Sequence, residues 1–182
     1  RSSEDFKFDL SAVAIMPPFT EIVSTGDLWK YRSNADSPPD NWASTSYNDN
    51  TWVNALTPLG YGLDEVNGKV SFGEDPSNKY PACYFRKTFN FTGLSDLVSS
   101  KIVLRRDDGV AVYLNGVQIA RDNLQSDATH KTFAENEVSG GGEFDSKEYI
   151  FDSSLLKEGE NVLSAEVHQI DAASSDLYFD LN

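Results

Sequence analysis

The sequence predicts an all-β, antiparallel sandwich, and three observations carry that expectation. Apolar and polar residues alternate in many short runs. An Asn-Gly pair joins two of those runs as a tight hairpin, and the loops between runs are crowded with glycine and proline. Helical spacing is confined to residues 152–159, a single turn with Asp or Ser as cap and Gly159 as stop.

Taken in chain order, Leu10-Ser11-Ala12-Val13-Ala14-Ile15-Met16 reads as an early strand, too short to span a bilayer and without a basic leader. Phe85, Phe89 and Phe91 share one face of a long strand, with Tyr84, Arg86, Thr88 and Asn90 on the other; Lys87 breaks the inward pattern and predicts a bulge or an edge. Ile102 and Leu104 continue the alternation. Val110, Val112 and Leu114 alternate with Ala111 and Tyr113, and Asn115-Gly116 supplies the two positive-φ positions of a type I′ turn. Leu163, Ala165 and Val167 alternate with Ser164, Glu166 and His168, and the final strand sets Leu177, Phe179 and Leu181 against Asp176, Tyr178 and Asp180. Loops fall at residues 34–41, 60–78 and 138–145. With no internal repeat and no linker, residues 1–182 are expected to form one module, part of a larger secreted protein.

A chain of 182 residues can bury roughly 70% of its unfolded surface without metal or disulfide. Its 29 acidic and 15 basic residues give a formal charge of -14, which argues against a phosphate-backbone ligand and leaves nucleic acid out. Cys83 is the single cysteine; it reads as a small buried hydrophobe, since no basic neighbour lowers its pKa. Asn90-Phe91-Thr92 is a glycosylation sequon, meaningful in a secreted eukaryotic setting.

Several segments together resemble a known family: Trp29-Lys30-Tyr31 with Trp42 and Tyr47-Asn48-Asp49-Asn50-Thr51-Trp52, then Leu59-Gly60-Tyr61-Gly62, then Tyr84-Phe85-Arg86-Lys87-Thr88-Phe89, then the Asp107-Asp108-Gly109 hairpin closing at Arg121-Asp122-Asn123. Gly159-Glu160-Asn161-Val162-Leu163 with Glu166-Val167-His168-Gln169 and the run from Ser174 to Leu181 complete the likeness. The pattern is similar to galactose-binding-domain-like jelly-roll sandwiches, the accessory domains of secreted proteins that include carbohydrate-binding modules and the sugar-binding domain of β-galactosidase-type glycoside hydrolases. The Asp-Asp-Gly hairpin by itself resembles the PA14 domain, in which paired aspartates hold calcium against a glycan. The resemblance implies a glycan or polysaccharide partner, neighbouring domains on a longer chain, a secreted or cell-surface location and a possible calcium ion.

The expected site lies in loops beside Asp107-Asp108. Asp107 and Asp108 are the candidate calcium ligands, because calcium takes six to eight oxygens at irregular spacing. Asp108, Arg106 and Arg121 would face sugar hydroxyls, Asn123 would act as a bidentate amide, and Trp42 and Tyr61 would serve as platforms for pyranose C–H bonds. The competing reading has Arg105, Arg106 or Arg121 neutralising the aspartates, and the tryptophans filling core. His168 lies beside Glu166 on one strand face; with His130 as the only other histidine, a bond to Asp176 or a loop carbonyl is expected rather than zinc. No nucleophile elbow, phosphate loop or metalloprotease helix occurs, and no catalytic residue is assigned. The function expected is non-catalytic carbohydrate binding. Alternatives are a structural spacer and, last, a lyase or glycosidase using acids such as Glu135, Glu137 and Glu143.

Overall fold

The computed structural model describes residues 19–182, so the strand expected at residues 10–16 lies outside the described residues. Eleven strands follow: β1 (Leu28–Arg32), β2 (Val53–Leu56), β3 (Leu59–Tyr61), β4 (Gly68–Lys69), β5 (Ala82–Phe91), β6 (Ser100–Asp107), β7 (Gly109–Leu114), β8 (Val117–Asp122), β9 (Lys147–Phe151), β10 (Gly159–His168) and β11 (Leu177–Leu181). They form two sheets, in the orders β2-β1-β5-β10-β7-β8 and β4-β3-β11-β6-β9, the jelly-roll sandwich that the sequence predicts. One detail departs from a purely antiparallel fold: β3 and β4 pair in parallel over two residues, Leu59 with Gly68 and Gly60 with Lys69. The helical turn expected at 152–159 is a single 3₁₀ turn at Ser153–Leu155, capped by the Asp152 carboxylate, which accepts the Ser154 N–H at 2.9 Å. Among the described residues no helix is long and apolar enough to cross a membrane.

The alternation expected from sequence builds the core directly. Cys83 and Phe85 of β5, Val110 and Val112 of β7, Ala165 and Val167 of β10, and Leu177 and Phe179 of β11 all point between the sheets and are 0–2% exposed. Phe85 from one sheet stacks on Phe179 from the other at 4.5 Å between ring centroids, and Trp29 meets Phe179 edge-on at 5.2 Å. A fully buried Val, Leu or Phe among them contributes about 1.5–3 kcal/mol by leaving water. Trp29 is thus core.

The hairpin joining β7 and β8 turns at Asn115 (φ 53°) and Gly116 (φ 89°), both in the left-handed region that the Asn-Gly pair predicts. Gly109 opens β7 where a side chain cannot fit, since a Cβ there would lie 2.6 Å from the Asn123 carbonyl oxygen. At Lys87 there is no bulge: the β5–β10 ladder runs unbroken from Ala82 to Phe91. Its ammonium instead reaches out of the sandwich end to the Asp27 carboxylate at 3.1 Å.

β10 sits at the middle of its sheet, paired with β5 on one side and β7 on the other. Every residue from Asn161 to His168 is buried. A strand whose outward residues are polar, yet buried, must be covered on that side too. A loop does the covering.

Candidate functional site

The outer face of the β5–β10–β7 region carries Ala82, Tyr84 and Arg86 from β5, Ser164, Glu166 and His168 from β10, and Tyr113 from β7. Lying over it is the stretch between β1 and β2, whose Trp42, Tyr47 and Trp52 form a second apolar cluster with Ala82 and Tyr84. Arg86 is the anchor. It is 2% exposed, and its Nε donates to Asp49 at 2.9 Å, its other guanidinium nitrogens to the Trp42 and Ser44 carbonyls, and its Cζ lies 5.2 Å from the Tyr47 ring centroid. Asp49 also takes the Lys30 ammonium. Partial burial opposes the charge on Asp49, but the hydrogen bonds and charges of Lys30 and Arg86 outweigh it and hold the carboxyl below its usual range.

That anchoring sets Trp42 in place, its ring edge-to-face with Tyr84 at 4.9 Å and with Tyr113 at 5.5 Å. Beside it opens a cleft of about 590 Å³, lined by Asp36, Asp40, Trp42, Tyr84, Tyr113, His130, Lys131 and Glu166 among others. Its volume falls in the range of small-molecule sites, about 300–1,000 Å³. Glu166 forms part of the wall. One of its oxygens accepts the Tyr113 hydroxyl at 2.7 Å, the other lies 3.4 Å from His168 Nε2. Burial opposes its charge, but the His168 and Tyr113 hydrogen bonds, with the charges of His168 and Arg121, keep its carboxyl below the ordinary range. Burial raises the Tyr113 phenol, as do the charge of Glu166 and its hydrogen bond.

His130 lines this cleft from the 128–131 loop, and His168 meets its wall residue Glu166 from β10. His130 stacks on Tyr84, meets its hydroxyl at 3.2 Å and reaches the Ala35 carbonyl at 3.0 Å, so it fastens the 35–40 loop to the 128–131 loop. Burial lowers its pKa, favouring the neutral ring. His168 meets the Thr132 carbonyl at 2.6 Å, the loop-carbonyl contact expected for it; Asp176 plays no part.

Of the residues assigned to the binding site from sequence, Trp42 alone lines this cleft. Tyr61 is 8% exposed, packs edge-on against Phe72 at 5.0 Å and donates its hydroxyl to Gln169, so it belongs to the core. Arg106 is buried and pairs with Asp122, which also holds the Lys147 ammonium. Arg121 donates to Gln118 and to the Gln125 carbonyl. Asn123 pairs with Asn136 through its amide and reaches the Asp108 carbonyl at 3.3 Å.

Asp107 and Asp108 are each 1% exposed. The two Asp108 oxygens accept the backbone N–H groups of Val138 and Ile170, both at 2.7 Å. A carboxylate already filled by N–H donors does not suit a hard cation that takes six to eight oxygens. Among the described residues no group of three or more His, Cys, Asp or Glu gathers as a metal centre. Asp108 therefore ties the loops of Val138 and Ile170 together. Of the acids considered for catalysis, Glu135 and Glu137 are exposed and outside the cleft.

Tyr113, Glu166 and His130 are among the cleft residues not placed there by sequence reasoning. The available signal was the polar Ser164-x-Glu166-x-His168 face of a strand whose other face is core.

No protein-family model matches the chain, and no curated protein sequence matches it. The fold does match solved structures. A β-glycosidase from Bacteroides vulgatus aligns with TM-score 0.51 and 17% identity over 89% of this chain and 20% of its own. A glycosyl hydrolase family 2 member from Bacteroides cellulosilyticus gives 0.52 and 11% over 89% and 20%. The Bacteroides uniformis β-glucuronidase gives 0.53 and 10% over 87% and 17%. The likeness is one of fold. This chain spans about a fifth of the length of those proteins.

Proposed function

We propose that this chain is a non-catalytic carbohydrate-binding module of a larger secreted or cell-surface protein, and that its glycan sits in the Trp42–Tyr113–Glu166 cleft rather than at Asp107-Asp108. The observation that carries this reading is an open cleft walled by aromatic rings, with a charged, hydrogen-bonded Glu166 among them. Aromatic surface packs against sugar C–H bonds, while Glu166, Asp36, Asp40 and Lys131 offer acceptors and a donor to hydroxyls. With three carboxylates against one ammonium along the cleft, a neutral or amine-bearing sugar is favoured over a uronate. The β-sandwiches of larger glycosidases share this architecture, which supports an accessory role on a longer chain.

The test is binding to a panel of immobilised neutral, amino- and uronic-acid glycans, with calcium and with chelator, alongside Trp42→Ala and Glu166→Gln. The expected result is saturable binding to a neutral or amino glycan, lost in both variants and unchanged by chelation. Binding that both variants retain would remove the site from the cleft, and binding lost on chelation would return it to a calcium centre. No binding to any glycan would leave the module as a structural spacer.

A further inference from the structure

The protons at the back of the cleft decide what charge a ligand meets there. His168 is 0% exposed, and both of its ring nitrogens face acceptors. Nδ1 lies 2.6 Å from the Thr132 carbonyl oxygen, which can only accept, so Nδ1 carries a proton. Nε2 lies 3.4 Å from Glu166 Oε2. A neutral ring with its proton on Nδ1 would turn a bare Nε2 lone pair on a carboxylate oxygen, in a place closed to water. The contact is favourable when a second proton lies between the two groups. Glu166, ionised despite its burial and already accepting the Tyr113 hydroxyl, leaves that proton to the ring. His130 is the contrast. Its Nε2 donates to the Ala35 carbonyl at 3.0 Å and its Nδ1 takes the Tyr84 hydroxyl at 3.2 Å, partners that a neutral ring satisfies completely.

We infer, resting on the glycan placement proposed above, that Glu166 and His168 form a carboxylate–imidazolium pair without net charge, and that this pair narrows the ligand to an uncharged sugar. The cleft lining holds Asp36, Asp40 and Glu166 against Lys131. His168 cancels the Glu166 charge from behind. Arg121 of β8 bonds the Gln118 amide and the Gln125 carbonyl, both neutral, and its positive charge also acts on Glu166. Asp36, Asp40 and Lys131 are exposed at the rim, where water and salt screen them.

An ammonium group pressed against this wall would give up its hydration and meet no uncompensated negative charge in return. A hydroxyl group has far less hydration to lose, and the wall suits it as a donor. Tyr113 commits its proton to Glu166, and Tyr84 commits its own to His130, so both phenols have oxygen lone pairs to offer. Asp36 and Asp40 add further acceptors at the rim.

The test has two arms. In the natural chain at pH 7, a nitrogen–proton correlation spectrum of the histidine rings is expected to show His168 protonated on both nitrogens and His130 on Nε2 alone, the two being assigned by the signals that His130→Gln removes. A His168 ring with a bare nitrogen overturns the pair. Binding is then compared across glucose-, galactose- and mannose-based glycans, each with and without an amine in place of one hydroxyl. The natural chain is expected to bind the uncharged member of a pair at least about fivefold more tightly. His168→Asn keeps an N–H for the Thr132 carbonyl but uncovers the Glu166 charge, and should move that ratio toward the amine by about tenfold. A natural chain that prefers the amine, or a folded His168→Asn with an unchanged ratio, overturns the narrowing and leaves the cleft as the glycan site. No binding to any pair overturns the cleft reading and this one with it. Should His168→Asn fail to fold, the ring spectrum and the preference of the natural chain decide between the same outcomes.

Discussion

Replacing Asp108 by alanine deprives the backbone N–H groups of Val138 and Ile170 of their acceptor. Both bonds are 2.7 Å long, and the carboxylate that accepts them is 1% exposed, so water does not readily take its place. An unsatisfied buried donor costs about 1–3 kcal/mol, which puts the combined loss at about 2–6 kcal/mol. Against a domain stability of about 5–15 kcal/mol this is a large fraction. At about 2–4 °C per kcal/mol for a chain of this size, a mid-range loss of about 4 kcal/mol lowers Tm by about 8–16 °C. Asp108→Asn keeps one acceptor oxygen and should lose about half as much. The assay is thermal and urea unfolding by circular dichroism, with and without calcium, and with glycan binding measured on the folded fraction. A calcium ion held at this turn would add about 2.7 kcal/mol at a hundredfold excess over its Kd; the geometry predicts no such gain and glycan binding that survives the substitution. A loss under about 1 kcal/mol, or calcium stabilisation that vanishes with Asp108, would refute the reasoning.

Arg86→Leu removes the anchor of the 42–49 loop and leaves the partly buried Asp49 with Lys30 alone; breaking a buried pair from one side costs about 3–5 kcal/mol. Urea titration should show that loss together with weakened glycan binding, and full binding in the folded variant would separate Trp42 from its proposed role. Glu166 has a folded pKa below its unfolded value near 4.3, so its contribution to stability is present above that value and disappears as pH falls through the lower folded one. Glu166→Gln should accordingly lose less stability than the natural chain between pH 7 and pH 3, and identical pH profiles would contradict this. Cys83 is 2% exposed and burial pushes its thiol up to about 12; a thiol reagent at pH 8 should label it only as fast as the domain opens, and labelling at the rate of a free thiol would place it outside the core.

The sandwich was legible because its information is local. Period-two alternation at Phe85, Val112, Ala165 and Phe179 fixes which face each strand buries, and Asn115-Gly116 fixes the register beside the turn, Leu114 with Val117 and Tyr113 with Gln118, before a shift at Ile119 pairs Val112 with Ala120. The cleft was only partly legible, because it depends on how a loop lies over a sheet. Trp42 stood out as an aromatic among loop residues, but nothing local says that Arg86, 44 positions later, holds its carbonyl. Asp107-Asp108 is ambiguous for a related reason. Adjacent carboxylates look the same in sequence whether they face a cation or the N–H groups of Val138 and Ile170, and those groups lie 30 and 62 residues away. Tyr61 looks like a loop platform among glycines until the close approach of β3 to β11 buries it.

The β5–β10 ladder runs without interruption behind the cleft, so Glu166 and its neighbours are carried by the most extensively paired strand of the molecule. Side chains mounted on such a strand have little freedom left to lose when a ligand arrives, and the entropic penalty of recognition falls instead on the rim, residues 35–42 and 128–131. Affinity and selectivity can then drift through changes of length and composition in two surface loops, while the sheet beneath them, and with it the stability of the domain, stays untouched. The same scaffold could in this way be retuned for different ligands.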